Sequence, residues 1–410
     1  MDNLSHSVTG LAVGELISRS LPPEADDDSQ RTRRRLLLVS CWAASNFPDL
    51  DLVLTPLLPA PLGYLLHHRG HTHTLLYALP QAMLLAALLW LLWPNARTLL
   101  ARSAPARRGL LLAIGAGFLL HLSMDWLNSY GIHPFYPLDP RWFYGDMVFI
   151  IEPVFWIAFG VPLALMATRR ISRLVLLGML IGVPAIFTFS GHLHPVSTAV
   201  LVLLAAAAGV LQRRAGAAGR QGLLAALATA LVFIGVQAWS SGAGKRAITA
   251  QLERRDPGTR VADVAMSAFP SNPLCWAFVA VEHQGAVFRV ARGVASIAPG
   301  LMDARSCPAA FAERAAQRAL SPAVAVVWEH ERPLAELRGL QRQDCSVDAW
   351  LRFARAPVLN AGNATDARYG VDPDSNFSTI RHADFAGQPC PSGIPKWTHP
   401  RSDLLGINPG

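Results

Sequence analysis

Four of the chain's 13 histidines fall within seven residues, His67-His68-Arg69-Gly70-His71-Thr72-His73. Neutral imidazole is the commonest protein ligand for zinc and related ions, so the cluster points first to metal chemistry. His67 and His71 would share a helix face, whereas His71 and His73 would share a strand face or a loop. Gly70 argues against a regular helix, and a solvated polar loop is the competing reading. Just upstream, Pro48-Asp49-Leu50-Asp51 follows Asn46 and ends an apolar segment. Paired carboxylates can ligate a hard or borderline cation, or accept a proton from a metal-bound water. Alone they read equally well as a solvated turn. A third pair, His121 and Asp125, has the i, i+4 spacing of one helix face. Both sit in an apolar stretch, where ionisable side chains are costly and usually functional. His6 joins this set only through its company. Glu152 can pair with Arg141 or Arg69, or support a ligand histidine from behind. Asp146 lies close to it in sequence. His192 and His194 read as a turn.

The elements that must position these groups are apolar. The chain has 410 residues, 52% hydrophobic and 16% charged, with a mean hydropathy of +0.30. Soluble domains carry nearer about 25% charge, so an ordinary cytosolic enzyme, a coiled coil and a disordered chain are excluded. Spans of about 20 residues are expected over roughly 75–93, 109–127, 147–168 and 222–240. The uncharged stretch 174–212 makes two more, with a turn at Gly191-His192-Leu193-His194-Pro195. Residues 4–20 and 36–48 are expected as two short packed helices, and whether they cross stays open. The expected fold is therefore mostly α, a polytopic membrane helical bundle of about six spans plus two short N-terminal helices, followed by a C-terminal soluble α+β domain. The expected domains are 1–241 and 242–410. Asp2 and Glu15 interrupt the first apolar run, which lacks a basic start, so no signal peptide is expected.

Arginines fall between the apolar runs at 31–35, 97–108, 169–173 and 213–220. If each span crosses once, all four clusters share one side, which is the cytoplasm by the positive-inside rule. The opposite side then collects His6, 46–51, 67–73, the end of the helix bearing His121 and Asp125, and residues beyond 242. The net charge of +8 forms no stripe suited to nucleic acid. Four of the five cysteines (275, 307, 345, 390) lie in the exported part, which permits disulfides without choosing among three pairings. The C-terminal part has short β-rich runs, an expected helix over 309–320 and an extended tail after 385. There is no phosphate-binding loop, dinucleotide fingerprint, HExxH or GxSxG.

An early His6 with Gly10, then PDLD (48–51), HRGHTH (68–73), HLSMDWLNSYG (121–131) and YGDMVFIIEP (144–153) stand in an order that resembles the YdjM-like family. These are bacterial inner-membrane proteins described as LexA-regulated or metal-dependent hydrolases. The resemblance covers about 1–170, and FPSNPLCW (269–276), WLRFARAP (350–357) and Arg368-Tyr369 look like landmarks of longer members. It implies a metal site on Asp49 and Asp51, on His68, Arg69, Gly70, Thr72 and His73, and on His121 and Asp125. Thr74 stands where serine is usual.

Residues and resemblance together predict a metal-dependent hydrolase at the outer face of the inner membrane, with the C-terminal part periplasmic. His6, Asp49, Asp51, His68, His73, His121 and Asp125 would hold a divalent ion, with zinc favoured over manganese or magnesium. Asp51 would take a proton, and Arg69 would clamp an anionic group. A phospholipid or another lipid-linked phosphate ester is the expected substrate, with the bilayer as partner and no nucleic acid. The other reading is a non-catalytic membrane protein, either a metal or proton carrier or an envelope stress factor.

Overall fold

The computed structural model describes residues 1–216, 218–308 and 318–407. The chain divides into two units by its own contacts. The first comprises Met1–Leu50, Leu75–Asn128 and Val148–Val236. The second comprises Asp51–Thr74, Ser129–Met147 and Gln237–Gly410.

In the first unit, α1 (Asn3–Ser20), α2 (Asp27–Ala44) and α6 (Ala104–Trp126) pack on one another. Asp2 caps α1 by accepting from the Leu4 and Ser5 N–H groups, and Asp26 caps α2 at Ser29. Small residues let the three backbones approach closely. A Cβ on Gly10 would lie 2.2 Å from Ser45 Oγ, and one on Gly117 would lie 2.8 Å from the Cys41 carbonyl. This approach brings α1, the end of α2 and α6 within reach of one another, which places His6 and His121. Two further helices follow the chain order between α2 and α6 here, α4 (Leu75–Leu92) and α5 (Pro94–Arg102). Then come α7 (Pro153–Met166), α8 (Arg170–Phe189), α9 (Pro195–Ala215) and the start of α10 (Gln221–Arg255). Val154, Ile157 and Val161 of α7 bury against Leu193 and Leu201.

Six helical stretches among the described residues are long and apolar enough to cross a membrane: 27–57, 75–92, 104–126, 170–189, 195–215 and 221–255. Only 6% of the most apolar stretch of α4, and 6% of that of α8, is buried. In water such surfaces would be heavily penalised, and in lipid they are the ordinary outer face.

Several expectations change. The span expected at 147–168 is a 14-residue helix, because Glu152 caps it and Pro153 opens it. The segment expected at 36–48 is preceded by Asp27–Arg35 in the same helix. There Arg33 is fully buried and pairs with Glu24 at 2.9 Å, and Glu15 is buried between Arg19 and Arg34. Those arginines are therefore partly structural. Helix α10 runs 14 residues past the boundary expected at 241/242. The helix expected at 309–320 is replaced over 318–320 by a strand, and its remainder lies outside the described residues.

The second unit is built on a five-stranded antiparallel sheet in the order β1-β2-β3-β5-β4. Its strands are β1 (Arg260–Phe269), β2 (Asn272–Gln284), β3 (Val287–Ser296), β4 (Arg318–Ser321) and β5 (Val324–Pro333). Helices α11 (Leu334–Gln343) and α12 (Cys345–Leu351) follow. A small three-stranded sheet comes next, made of β6 (Pro357–Asn360), β7 (Asn363–Asp366) and β8 (Ile380–Arg381), and a last turn α13 is Ser402–Leu405. Leu62, Leu65 and Leu66 of the short helix α3 (Leu62–His67) enter the same core as Trp350, Phe353 and Trp397. Segments expected as loops of the membrane part thus belong to the unit that carries the sheets.

Two disulfides close this unit, Cys275–Cys307 and Cys345–Cys390, and Cys41 is a buried free thiol. Alkylation of the denatured, unreduced protein is expected to label one of the five cysteines. Labelling of all five without reduction, read by intact mass, would contradict both bridges.

Candidate metal centre

Asp49 sits on an unusually long 3-10 helix, Phe47–Leu57. Such runs seldom exceed about four residues and often mark a functional position. Asp49, His121 and Asp125 each offer a ligand atom, and these atoms lie within 4.8 Å of one another. His121 Nε2 is 3.6 Å from Asp49 Oδ1 and 3.5 Å from Asp125 Oδ2. Its Nδ1 lies 2.8 Å from the Ser45 carbonyl oxygen, to which it donates, so Nε2 carries the lone pair. His6 stacks on His121 with ring centroids 4.3 Å apart, and its Nε2 is 3.2 Å from Asp125 Oδ1. The i, i+4 spacing in α6 delivers the expected pair. Helix α1 adds His6 because Gly10, one turn on, lets it lie against the end of α2. All but Asp49 are fully buried, and Asp49 is 9% exposed. A buried set of carboxylates and imidazoles at this separation can bind a metal ion.

The amino group of Met1 also pairs with Asp125. No motif spacing could have signalled that contact. Trp156 donates to Ser5 Oγ at 2.9 Å and helps seat the start of α1.

The histidine loop is organised around Asp51 in the second unit. Asp51 Oδ1 is 3.0 Å from His68 Nδ1. Its Oδ2 accepts from the Arg69 N–H at 3.0 Å and from Thr72 Oγ1 at 2.6 Å, and lies 3.3 Å from His73 Nδ1. Both imidazoles are thus held through Nδ1, which leaves Nε2 as the ligand atom of each. This is the carboxylate–histidine arrangement that orients metal-binding imidazoles. Arg69 takes a left-handed backbone (φ 58°), and its guanidinium carbon lies 4.6 Å from the Tyr130 ring centroid.

Gly70 is closely enclosed. A Cβ there would stand 3.1 Å from the His67 carbonyl and 3.3 Å from Trp397. Gly70→Ala is expected to cost about 1–3 kcal/mol by overpacking, measured as a lower urea midpoint. An unchanged midpoint would show that the loop yields freely.

The other candidates have separate duties. His67 ends α3, and His71 meets Tyr136 edge-on at 5.2 Å. Burial lowers the pKa of both, opposed at His67 by Asp51 and reinforced at His71 by His67. Arg141 pairs with Asp139 at 2.6 Å, and Glu152 caps α7. Asp146 binds Lys245 and Arg355 at 2.6 and 2.8 Å. His192 contacts Ser190 Oγ at 2.8 Å, and His194 caps α9. His133, which sequence reasoning passed over, is wedged between the rings of Trp142 and Trp397 at 3.8 and 4.0 Å. Burial holds it neutral, well below the usual imidazole range.

Residues 1–195 match the family model described as YdjM inner membrane protein. The chain is 27% identical over 158 residues to the uncharacterized protein YfhP of Bacillus subtilis (strain 168), over 38% of this chain and 44% of that relative. The chain therefore spans less than half the length of the curated relative it matches. No solved structure matches.

Proposed function

We propose that this protein, over residues 1–195 a YdjM-family membrane protein, is a metal-dependent hydrolase of a phosphate ester in or at the bilayer. The observation that carries the reading is the buried group Asp49, His121 and Asp125, with ligand atoms within 4.8 Å. The donor chemistry fits a divalent ion: two carboxylates, an imidazole with its tautomer set by Ser45, and His6 beside them. We assign the ion to His6, Asp49, His121 and Asp125; His68 and His73 stand on the loop that Asp51 orders in the second unit. Zinc suits the mix of imidazole and carboxylate. A divalent ion supplies Lewis acidity and a water acidic enough to furnish hydroxide near neutral pH.

The chain's own residues do the rest. Asp51 orients His68 and His73 through Nδ1. Both of its oxygens are engaged, so the proton-accepting role expected of it requires one of its four contacts to open. Arg69 offers a planar cation to an anionic oxygen. The apolar surroundings strengthen each of these interactions by excluding water. The two disulfides fit an oxidising compartment, which supports a multi-pass chain of the inner membrane with residues beyond 255 on its outer side.

The test is metal analysis of the full chain purified in detergent, coupled to release of inorganic phosphate from phosphatidic acid in mixed micelles. One or two bound equivalents are expected, with phosphate release that a chelator stops and zinc restores. Absence of bound metal after reconstitution would overturn the reading.

A further inference from the structure

The C-terminal region brings more than a cover to the histidine loop. His68 stacks on Tyr64 at 5.0 Å, and Tyr64 meets Phe377 at 5.4 Å. Phe377 meets Tyr369 at 4.5 Å, Tyr369 meets Tyr130 at 5.9 Å, and Tyr130 returns to His68 at 6.0 Å. These five rings form one continuous aromatic wall that starts and ends on a loop histidine. The Arg69 guanidinium lies over the Tyr130 face. Two members of the wall, Tyr369 and Phe377, come from a part of the chain 300 residues away in sequence. Both are fixed from behind. Arg368 is tied to Asp366 at 2.9 Å and to the carbonyls of Ser129 and Tyr130 at 2.8 and 3.2 Å, and Asn376 donates to the carbonyls of Asp366 and Gly370.

Two features of this wall lack a structural purpose. The Tyr369 hydroxyl oxygen is buried and has no hydrogen-bond partner among the described residues. Buried hydroxyls nearly always have one, and leaving one unmet is costly. Phe377 sits at the other extreme, 46% exposed although it meets the rings of Tyr64 and Tyr369. A phenylalanine free to turn inward would gain by doing so. The wall therefore runs from a hydroxyl that needs an acceptor, beside a cation, to an apolar rim open to the surroundings. On the same unit, Leu52, Val53 and Leu57 are exposed directly after Asp51. A headgroup with a charged oxygen and an apolar end meets this gradient of chemistry, and a small soluble anion uses only half of it.

We propose that Tyr369 and Phe377 complete the substrate site: the Tyr369 hydroxyl donates to the phosphate of an amphiphile beside Arg69, and Phe377 with Tyr64 borders its acyl-bearing end. The proposal rests on the phosphate-ester reading above for the identity of the anion. Tyr369 is a binding residue here, and no bond is made or broken by it.

The experiment titrates the full chain in detergent with two probes, inorganic phosphate and the short-chain lipid dihexanoyl phosphatidic acid. Heat of binding is recorded for the wild type, Tyr369→Phe and Phe377→Ala, with metal content and melting temperature measured on each sample. Tyr369→Phe removes one oxygen and is expected to weaken both probes about tenfold or more. Phe377→Ala is expected to weaken the lipid alone. Both variants should keep the wild-type metal content. Equal affinity of wild type and Tyr369→Phe for both probes would overturn the proposal, as would binding of neither probe by the wild type. Inorganic phosphate bound as tightly as the lipid would refute the amphiphile. Wild type without metal, yet with Tyr369-dependent lipid binding, would instead overturn the hydrolase reading and leave this site standing.

Discussion

His121→Ala should strip the protein of its metal, while Asp51→Asn should leave a metal site weakened about 10–100-fold. The two substitutions probe two separate groups of residues. His121 contributes the Nε2 that lies 3.6 and 3.5 Å from Asp49 and Asp125. Asp51 contributes orientation. An asparagine can still accept from Thr72 or the Arg69 N–H, but its amide cannot hold both His68 and His73 in the tautomer that leaves Nε2 free. The measurement is metal content by mass spectrometry, together with a competitive chelator titration. Helicity by circular dichroism guards against unfolding. Equal metal retention in His121→Ala and wild type would remove His121 from the ligand set. Complete loss in Asp51→Asn, with the fold intact, would move Asp51 from orienting group to ligand.

The largest effect on stability is expected at Arg355. Its guanidinium binds Asp146 through two bonds of 2.8 Å and Asp263 at 2.7 and 3.1 Å, and Lys245 reaches Asp146 as well. Arg355 and Asp146 are buried. Truncation to alanine strands two carboxylates in a poorly solvated place, and removing one partner of such a set typically costs about 3–5 kcal/mol. Asp146 holds a left-handed backbone (φ 55°), so the contacts also fix a turn that a non-glycine residue adopts reluctantly. Arg355→Ala should lower the urea midpoint of the second unit sharply. A midpoint within error of wild type would show that Lys245 and Arg401 suffice.

The same network predicts a pH dependence. Burial alone would raise the Asp263 carboxyl, but Arg355, with Arg401 and Lys245, holds it below the ordinary carboxylate range. A lowered folded-state pKa contributes stability above the unfolded value of about 3.9 and loses it as pH falls through the folded value. The gap in stability between wild type and Arg355→Ala should therefore be full at neutral pH and narrow below about pH 4. A gap that is constant with pH would mean that Arg355 acts through packing.

What was legible in the sequence follows from the range of each interaction. The pair His121 and Asp125 could be read because one helix turn joins them. The spans over 75–92, 170–189 and 195–215 could be read because apolar length alone defines them. The role of Asp51 could not, since it depends on a hydrogen-bonding loop 17 to 22 residues away. The grouping of 51–74 and 129–147 with the C-terminal sheets was equally hidden. Leu62, Leu65 and Trp142 carry no local signal of the core they fill, which only their tertiary partners Trp350 and Phe353 show. Arg33 looked like one more cytoplasmic charge, although its guanidinium is buried on Glu24. Residues 318–320, expected to end a helix, belong instead to a strand of four residues, too few to establish a period of two.

One consequence concerns insertions and deletions rather than substitutions. Asp49 and Asp51 lie two residues apart on a 3-10 helix, which turns about 120° per residue. They therefore project about 120° apart around the helix axis; Asp49 lies beside His121, and Asp51 beside the histidine loop. Leu50, the residue between them, is 57% exposed, so its side chain contributes little. Its presence as a spacer is what sets the angle. Leu50→Ala should be nearly silent in metal content, whereas deleting Leu50 should rotate everything beyond it by a third of a turn. Here the count of residues carries information that the identity of the residue does not, and lineages would be expected to tolerate many letters at this position but not a gap.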